Sequence, residues 1–297
     1  MHFVNAKGIL SSKNGMNIYR GCTHGCIYCD SRSTCYQMKH DFEDIEVKIN
    51  APILLDEALS KKRRKCMIGT GAMCDPYMHC ENRLGLTRKC LEVIERHGFG
   101  LAVQTKSASI LRDLDLLCAI NEKAKCVVQM TLTTYNEKLC RIIEPNVSST
   151  KERVQALKIL HENGIPTVVW LTPLLPYIND TEENLREIID CAYEAGVMGI
   201  INFGFGVTLR DGDREYFYAA LDRHFPGLKQ RYIEKYGDSY ECMSDNNDHL
   251  TQIFHDECEY SGIMHDNDRI FSYMSEFSHK KDGAQISIMN LLGLINF

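Results

Sequence analysis

The sequence lacks the features of secreted and membrane-spanning proteins. Its longest apolar runs, such as IPTVVWLTPLLP at residues 165–176, are too short and too often broken by proline to cross a bilayer. The start of the chain, MHFVNAKGIL, has no basic segment followed by a long apolar one, so we expect no secretory signal. Both absences predict a cytoplasmic protein without a membrane partner.

An excess of positive charge is also missing. The 34 lysines and arginines are outnumbered by 40 aspartates and glutamates. The formal net charge of −6 does not indicate that the protein as a whole binds nucleic acid, although it is compatible with a local basic groove. The basic run KKRRK at residues 61–65 falls between a predicted helix and the next predicted strand. In a β/α barrel that connection lies opposite the active face, so we interpret the run as a helix end.

Cysteine, by contrast, is abundant. Because a cytosolic setting keeps thiols reduced, the 14 cysteines are expected to be free thiols or metal ligands rather than disulfides. Cys22, Cys26 and Cys29 stand close together in the stretch RGCTHGCIYCDSR at residues 20–32. Three thiolates on one loop suit a cubane [4Fe-4S] cluster, whose fourth iron is then open to a reactant. A zinc knot completed by Cys35 is the alternative, although the spacing is not that of a zinc finger.

The chain alternates predicted strands and helices. Short apolar strands, each followed by a helix, are typical of a parallel sheet that is covered on both faces. The first turn carries cysteines where a dinucleotide-binding fold would need G-x-G-x-x-G, so we favour an α/β fold with a partial (β/α)6 TIM-like barrel over a doubly wound sheet. The strands are predicted over residues 15–21, 64–72, 99–107, 125–134, 165–173 and 197–205.

Beyond about residue 206 this alternation stops. Residues 209–237 and 247–277 are rich in aromatic side chains and are predicted to be mainly helical. No internal repeat, low-complexity segment or Pro/Ser-rich linker separates them from the preceding part. We therefore expect residues 1–205 to form the barrel and residues 206–297 to form a helical C-terminal extension packed on it.

The cysteine stretch resembles that of the radical SAM superfamily. A C-x3-C-x2-C pattern on the loop after the first barrel strand, with an aromatic residue (Tyr28) just before the last cysteine, is similar to this family, and most closely to its spore photoproduct lyase-like (DNA repair photolyase-like) branch. The resemblance implies a [4Fe-4S] cluster whose open iron chelates S-adenosyl-L-methionine (SAM), and an enzyme that reductively cleaves SAM to a 5'-deoxyadenosyl radical. The stretches that carry the resemblance are YRGCTHGCIYCDSR, GAMCDPYMHCE, TKSASILRDLDLL and LTTYNEKLCRIIEPN, within about residues 15–205.

The resemblance also implies SAM-binding residues at the carboxyl ends of the strands, which form the reactive face of a barrel. Family members often carry a Gly-Gly-Glu-like segment after the second strand that binds the SAM amino group, and this chain has Gly71 and then Asp75. Asp75 is the candidate for the ammonium group and Gly71 for close backbone approach, with an ordinary turn as the alternative. The branch uses a further cysteine as a hydrogen-atom donor, for which Cys74 is the candidate, with Cys80 or an inert buried thiol as alternatives.

In this family, polar residues of the fourth strand and of the segment after it contact the ribose and the carboxylate of SAM. Thr133, Glu144 and Arg153 are the candidates here, Arg153 because a guanidinium can hold a carboxylate through two hydrogen bonds. Asn202, at the end of the last barrel strand, is the candidate for the adenine edge. The alternative is that Thr133 is an ordinary threonine of a strand and that Glu144 and Arg153 are solvated charged residues of a helix.

The sequence does not identify the substrate. Damaged DNA is suggested by the name of the branch, but the acidic net charge and the position of the basic run argue against it. The chemistry also implies an electron donor such as flavodoxin or ferredoxin. The alternative function is an iron–sulfur electron-transfer or sensing protein without SAM chemistry, although such a protein usually completes its cluster with a fourth cysteine.

Overall fold

The computed structural model describes residues 1–279 of the chain. Its strands are, in chain order, β1 (His2–Val4), β2 (Gly15–Met16), β3 (Tyr19–Arg20), β4 (Glu46–Lys48), β5 (Met67–Thr70), β6 (Gly100–Thr105), β7 (Cys126–Thr131), β8 (Thr167–Trp170), β9 (Gly199–Ile201), β10 (Gly206–Thr208) and β11 (Glu241–Met243). Its α-helices are α1 (Ala51–Lys61), α2 (Glu81–Leu84), α3 (Leu86–Arg96), α4 (Leu114–Lys123), α5 (Glu137–Ile143), α6 (Thr150–Glu162), α7 (Glu182–Glu194), α8 (Asp213–His224), α9 (Leu228–Tyr236), α10 (Asn247–Ser261) and α11 (Asn267–Ser275).

Six strands form one parallel sheet in the order β2-β5-β6-β7-β8-β9. At least one helix stands between each pair of successive strands from β5 to β9. This arrangement confirms the predicted α/β class and the partial TIM-like barrel. The first predicted strand, over residues 15–21, is divided: β2 pairs with β5 at the barrel edge, whereas β3 pairs with β4 in a separate three-stranded sheet of order β1-β4-β3.

Local sequence signals account for the elements near the carboxyl end of β7. Every residue of β7 is buried, as expected for a central parallel strand whose two faces are both covered. The Ser149 side chain accepts a hydrogen bond from the Glu152 backbone N–H, and the Glu152 carboxylate accepts one from the Ser149 N–H. This reciprocal capping box, which the sequence predicts, fixes the start of α6 and with it the position of Arg153 one residue further on.

Apolar side chains pack in two main layers around the barrel sheet. The larger layer lies between the sheet and its helices, and it includes buried residues of α1, α3, α4, α6, α7 and α10. The smaller layer lies on the other face, where five successive strands meet α11; it contains Met67, Ala102, Val127, Val168, Ile201, Ile270 and Met274. Helix α11 therefore covers the inner face of the barrel sheet.

The part of the chain that follows β9 combines helices with a small sheet. Strands β10 and β11 pair antiparallel, a feature that the sequence analysis did not predict, and helices α8 to α11 make up most of the remainder. The backbone of Ile200 in β9 donates to the Met264 carbonyl at 2.8 Å, so this part of the chain continues the pairing along the free edge of β9. Residues 280–297 of the predicted extension lie outside the described residues.

The helices of the described chain are short. The longest of them, α10, has 15 residues. Within residues 1–279 no helix combines the length and the apolar character that crossing a membrane requires.

We predict that Gly71→Ala destabilises the protein by at least about 2 kcal/mol, measured as the free energy of unfolding in urea. Gly71 follows β5 with a φ of +100°, and a Cβ there would collide with the backbone carbonyl of Gln104. Gly69→Ala is the matched control, because a Cβ at Gly69 meets no atom within 4 Å. Equal losses of stability in the two variants would contradict this account of the turn.

Candidate active site

Three cysteines lie on the loop that joins β3 to a short 3-10 helix, residues 21–29, here called the cysteine loop. Cys22, Cys26 and Cys29 line one cavity of about 100 Å³, here called the small cavity. Gly21 and Gly25 have φ values of +87° and +70°, a backbone conformation that other residues rarely adopt. These two glycines let the short loop turn so that its three thiols face one space.

The three thiols are spaced too widely to bind one zinc ion together. In residues 1–279, the only group of three or more His, Cys, Asp or Glu ligand atoms that all lie within 4.8 Å of one another is formed by His2, His40 and Asp44. Sulfur ligands of a tetrahedral zinc ion, with bonds of about 2.3 Å, are only about 3.8 Å apart. An iron–sulfur cubane spreads its cysteines more widely, because each cysteine binds a different iron. The donor set therefore fits a cluster better than a zinc knot.

Cys35, the fourth ligand in the zinc alternative, is exposed and does not line the small cavity. Its sulfur accepts a hydrogen bond from Arg210 at 3.3 Å. In the described structure the cysteine loop thus offers three thiols to the small cavity, and Cys35 is not a fourth.

Burial and hydrogen bonds act in opposite directions on the three thiols. Burial raises the pKa of Cys22 to about 12 and also raises the pKa values of Cys26 and Cys29. Backbone N–H groups of His24 and Asp75 donate to Cys22 and favour its thiolate. The thiols alone keep their protons at neutral pH, whereas bound iron would release them. Hydrogen bonds to sulfur are also among the groups that set the potential of an iron–sulfur cluster.

A buried ion pair anchors one side of the cysteine loop. The Tyr28 hydroxyl donates to Glu144, which also accepts a hydrogen bond from Arg153 Nη2 at 2.6 Å. Arg153 Nη1 donates to the backbone carbonyl of Thr131, at the end of β7, at 2.6 Å. Glu144 and Arg153 are 1% and 0% exposed, and neither lines the small cavity. Both are predicted SAM contacts; in the structure their charges bind each other and hold Tyr28 against the barrel, and their roles in SAM binding stay predictions.

Asp75 anchors the other side of the loop. Its Oδ1 accepts hydrogen bonds from the Tyr77 backbone at 2.8 Å and from the Thr105 hydroxyl at 2.7 Å, and its Oδ2 accepts one from the Lys106 backbone at 2.6 Å. The His24 ring lies 3.5 Å from Oδ2, and burial lowers the pKa of this histidine in spite of the carboxylate. Asp75 lines the small cavity, as a SAM contact requires, while also joining the loop after β5 to the end of β6.

A second cavity, of about 620 Å³ and here called the large cavity, adjoins the small one. Lys106 is the only lysine or arginine lining either cavity in the described structure, and its ammonium group donates to the Thr131 hydroxyl at 2.9 Å. Lys106 is not among the SAM contacts predicted from the sequence, although its position directly after β6 is the kind of position at which such a contact is expected. The residues that line both cavities are Cys29, Ser31, Ala72, Met73 and Lys106.

Cys74 lines the small cavity together with the three loop cysteines and Gly71. Its Sγ donates a hydrogen bond to the Tyr19 carbonyl at 2.8 Å, and burial raises the pKa of the thiol well above its usual value. Cys74 therefore keeps its S–H group at neutral pH. Cys80, the alternative hydrogen-atom donor, lines neither cavity.

Like Glu144 and Arg153, two further predicted SAM contacts lie outside both cavities. Thr133 is fully buried, and its carbonyl accepts hydrogen bonds from Asn179 at 2.7 Å and from Asn184 at 3.0 Å. The side-chain amide of Asn202 donates to the Leu171 carbonyl at 2.8 Å and accepts from a backbone N–H two residues further on. Both residues shape the backbone at the strand ends, and their roles in SAM binding stay predictions.

Comparison with known families gives one match that covers most of the chain. The model of the radical SAM superfamily matches residues 16–222. An uncharacterised protein of Methanocaldococcus jannaschii is 32% identical over 244 residues, which are 81% of this chain and 83% of that protein. An uncharacterised protein of Mycobacterium tuberculosis is 29% identical over 227 residues, which are 74% of this chain. The match spans only 66% of the length of the mycobacterial relative.

Solved structures with a similar fold include several of spore photoproduct lyase. A cysteine mutant of that enzyme has a TM-score of 0.62 at 15% identity, and the match covers 88% of this chain and 79% of that one. Spore photoproduct lyase complexed with dinucleoside spore photoproduct has a TM-score of 0.59 at 16% identity, over 84% and 74% of the two chains. At this level of identity the likeness establishes the fold.

We predict that Glu144→Gln lowers the free energy of unfolding at pH 7 by about 3–5 kcal/mol, because it leaves Arg153 buried without a counter-charge. Burial alone raises the pKa of Glu144, but Arg153, Lys106 and Tyr28 outweigh it and hold the pKa below its usual 4.5. The stability gained from ionised Glu144 is therefore present above about pH 4.5 and is lost as the pH falls through the lower folded-state value. Urea unfolding of the metal-free protein across pH 3–7 measures this difference.

Glu162→Gln is the matched control, since Glu162 is exposed at the end of α6 and its replacement is expected to change stability by less than about 0.5 kcal/mol. A loss for Glu144→Gln that stays constant down to pH 3, or that equals the control, would contradict the anchoring role of the ion pair.

Proposed function

Because the chain belongs to the radical SAM superfamily, we propose that it is a radical SAM enzyme, that Cys22, Cys26 and Cys29 hold a [4Fe-4S] cluster and that SAM binds its open iron. The proposed reaction is reductive cleavage of SAM to a 5'-deoxyadenosyl radical that acts on a substrate in the large cavity. The observation that carries this proposal is the convergence of three thiols on one cavity that opens into a second, larger one.

The residues around the small cavity fit this assignment. When bound, the reduced cluster would supply the electron that breaks a sulfonium bond of SAM. The negative charge of Asp75 and the positive charge of Lys106 stand on neighbouring walls of the small cavity. That arrangement is complementary to the ammonium and carboxylate groups of a zwitterionic amino acid, so we propose Lys106 for the carboxylate and keep Asp75 for the ammonium group.

The large cavity is lined by apolar and aromatic side chains as well as polar ones. Tyr28 is one of these lining residues, and its hydroxyl donates to Glu144. Strands β10 and β11 also contribute to the walls, which supports the proposal that residues 206–297 form one extension acting together with the barrel of residues 1–205. Apolar lining residues of the large cavity include Met73, Pro173, Phe203, Val207 and Met243.

Cys74 remains the proposed hydrogen-atom donor. A thiol can give up a hydrogen atom only while it carries its S–H bond, and burial keeps Cys74 protonated beside the proposed SAM site. We also propose a small electron-transfer protein, such as flavodoxin or ferredoxin, as the reductant. Damaged DNA is the first substrate to test, because spore photoproduct lyase binds a dinucleoside photoproduct on the same fold and aromatic walls such as Tyr36 and Tyr240 could stack a base.

The proposed ligand set predicts that Cys26→Ala loses the iron of the cluster, because two thiols on the loop do not enclose a cubane. Iron, sulfide and zinc are measured per chain after anaerobic reconstitution, together with the visible absorbance. Cys35→Ala is the control and should keep the iron content of the parent protein, since Cys35 does not line the small cavity. Full iron in Cys26→Ala, or stoichiometric zinc without iron in the parent protein, would refute the ligand assignment.

The proposed SAM site predicts that Lys106→Ala weakens SAM binding about 10- to 100-fold, since a hydrogen bond to a charged group contributes about 1.5–3 kcal/mol. Iron content should stay unchanged, because Lys106 binds no iron in this account. SAM affinity is measured by anaerobic equilibrium dialysis, and 5'-deoxyadenosine is measured after addition of dithionite, with and without a dinucleoside photoproduct.

Lys158→Ala is the control for Lys106, because Lys158 lies on α6 away from both cavities. If Lys106→Ala bound SAM as tightly as this control, the carboxylate assignment would be lost. If the parent protein with full iron formed no 5'-deoxyadenosine, the radical SAM reaction itself would be excluded. Repaired pyrimidines in the photoproduct reaction support the DNA substrate, and their absence counts against it.

A further inference from the structure

A second group of metal-ligand side chains lies outside the active site. His2 is on β1, whereas His40 and Asp44 are on the segment that precedes β4. One ligand atom from each lies within 4.8 Å of the other two, which holds for no other such group in residues 1–279. The two imidazole rings are in edge contact, with centroids 4.8 Å apart and planes at 82°.

His40 carries a buried ring nitrogen that has no hydrogen-bond partner among the described residues. Its Nδ1 lies 3.0 Å from the Asp41 carbonyl oxygen, which can only accept a hydrogen bond, so Nδ1 carries the proton and Nε2 carries a lone pair. The buried nitrogen is Nε2. A buried acceptor without a partner loses the energy of its hydration, and binding of a metal ion is one way to compensate for that loss.

His2 and Asp44 complete the group. His2 Nδ1 is 2.9 Å from Asp44 Oδ2, close to the separation of about 3.4 Å that two nitrogen or oxygen ligands of one tetrahedral zinc ion have. His2 Nε2 faces the carboxylate of Glu46 at 4.0 Å. The other oxygen of Asp44, Oδ1, is 2.5 Å from the Met1 ammonium group, so this cation occupies a different oxygen from the one that faces His2.

We propose that His2 Nδ1, His40 Nε2 and Asp44 Oδ2 bind a zinc ion, with water at the fourth position. His40 has an acceptor at its other nitrogen, the Asp41 carbonyl, whereas the carboxylate of Glu46 faces His2 Nε2 at 4.0 Å, beyond hydrogen-bond distance. Acceptors of this kind orient the histidine ligands of metal sites and fix their tautomers. Binding requires His2 in the tautomer whose proton is on Nε2, so it moves the proton from the Asp44 side of the ring to the Glu46 side.

The donor set favours zinc or another first-row transition metal over calcium and magnesium. Two imidazoles and one carboxylate suit zinc, copper, nickel and iron(II), whereas calcium and magnesium bind almost entirely through oxygen. Three protein ligands are enough for tetrahedral zinc when water fills the fourth position.

The proposed zinc site lies next to the cysteine loop. Phe42, between His40 and Asp44, accepts a hydrogen bond at its carbonyl oxygen from the Cys22 backbone N–H at 3.1 Å. Zinc would therefore tie β1 to the segment that touches the first loop cysteine, and its role in this account is to hold that segment in place.

The test compares zinc bound per chain, by elemental mass spectrometry, after anaerobic dialysis of the full-length, iron-reconstituted protein against Zn²⁺. His40→Gln should bind one zinc less per chain than the parent protein, or bind that zinc at least about tenfold more weakly. His249→Gln is the matched control and should behave like the parent protein, because His249 pairs with a single carboxylate, Glu182, at 3.3 Å. All variants share the loop thiols and any zinc that these bind. The difference in zinc content between the variants therefore reports on the proposed site alone.

Asp44→Asn serves as a second variant in case His40→Gln folds poorly. It keeps the size of the side chain and is expected to lose the same zinc ion. Circular dichroism verifies the fold of each variant. Equal zinc content in the parent protein, His40→Gln and Asp44→Asn would overturn the proposal, as would a parent protein that binds no zinc beyond the amount in the variants.

Discussion

The shape of the cysteine loop depends on the buried ion pair between Glu144 and Arg153. Contacts from outside the loop help to set its position, including backbone hydrogen bonds of Cys22 and Ile27 to the Phe42 and Ile143 carbonyls. Glu144 holds the Tyr28 hydroxyl, and Arg153 ties that carboxylate to the end of β7. Because both charges are removed from water, each depends on the other, and removing one leaves the second without compensation. The pair thereby fixes the loop in one position relative to the barrel.

On the opposite side, the Asp75 carboxylate faces the ring of His24 in the loop and accepts hydrogen bonds from the segment after β5 and from the end of β6. Between these anchors lies the small cavity, with Lys106 at the boundary to the large cavity. Both anchors use charged side chains that could otherwise contact a bound molecule. The ammonium group of Lys106, which donates to the Thr131 hydroxyl, and the partly used carboxylate of Asp75 both line the small cavity, so Lys106 joins the proposed SAM contacts.

The fold could largely be predicted from the sequence, because strand hydrophobicity and helix caps such as Ser149 with Glu152 are local signals. The division of the first predicted strand into β2 and β3, and the pairing of β10 with β11, could not be predicted. These four strands have only two or three residues each and therefore show no periodic pattern. The site was less accessible to such reasoning. Spacing identifies the three thiols, but whether Glu144 faces a ligand or a buried arginine depends on packing between α5 and α6, which no local pattern records.

The central claim is that three cysteines leave one iron of a cluster open and that SAM binds it. Electron paramagnetic resonance of the anaerobically reconstituted, dithionite-reduced protein, recorded with and without SAM, tests this claim most directly. Binding of an amino and a carboxylate group to one iron changes the ligand field at that iron, so the account predicts a cluster signal whose g values shift when SAM is added. A cluster signal that SAM leaves unchanged at saturating concentration would contradict it.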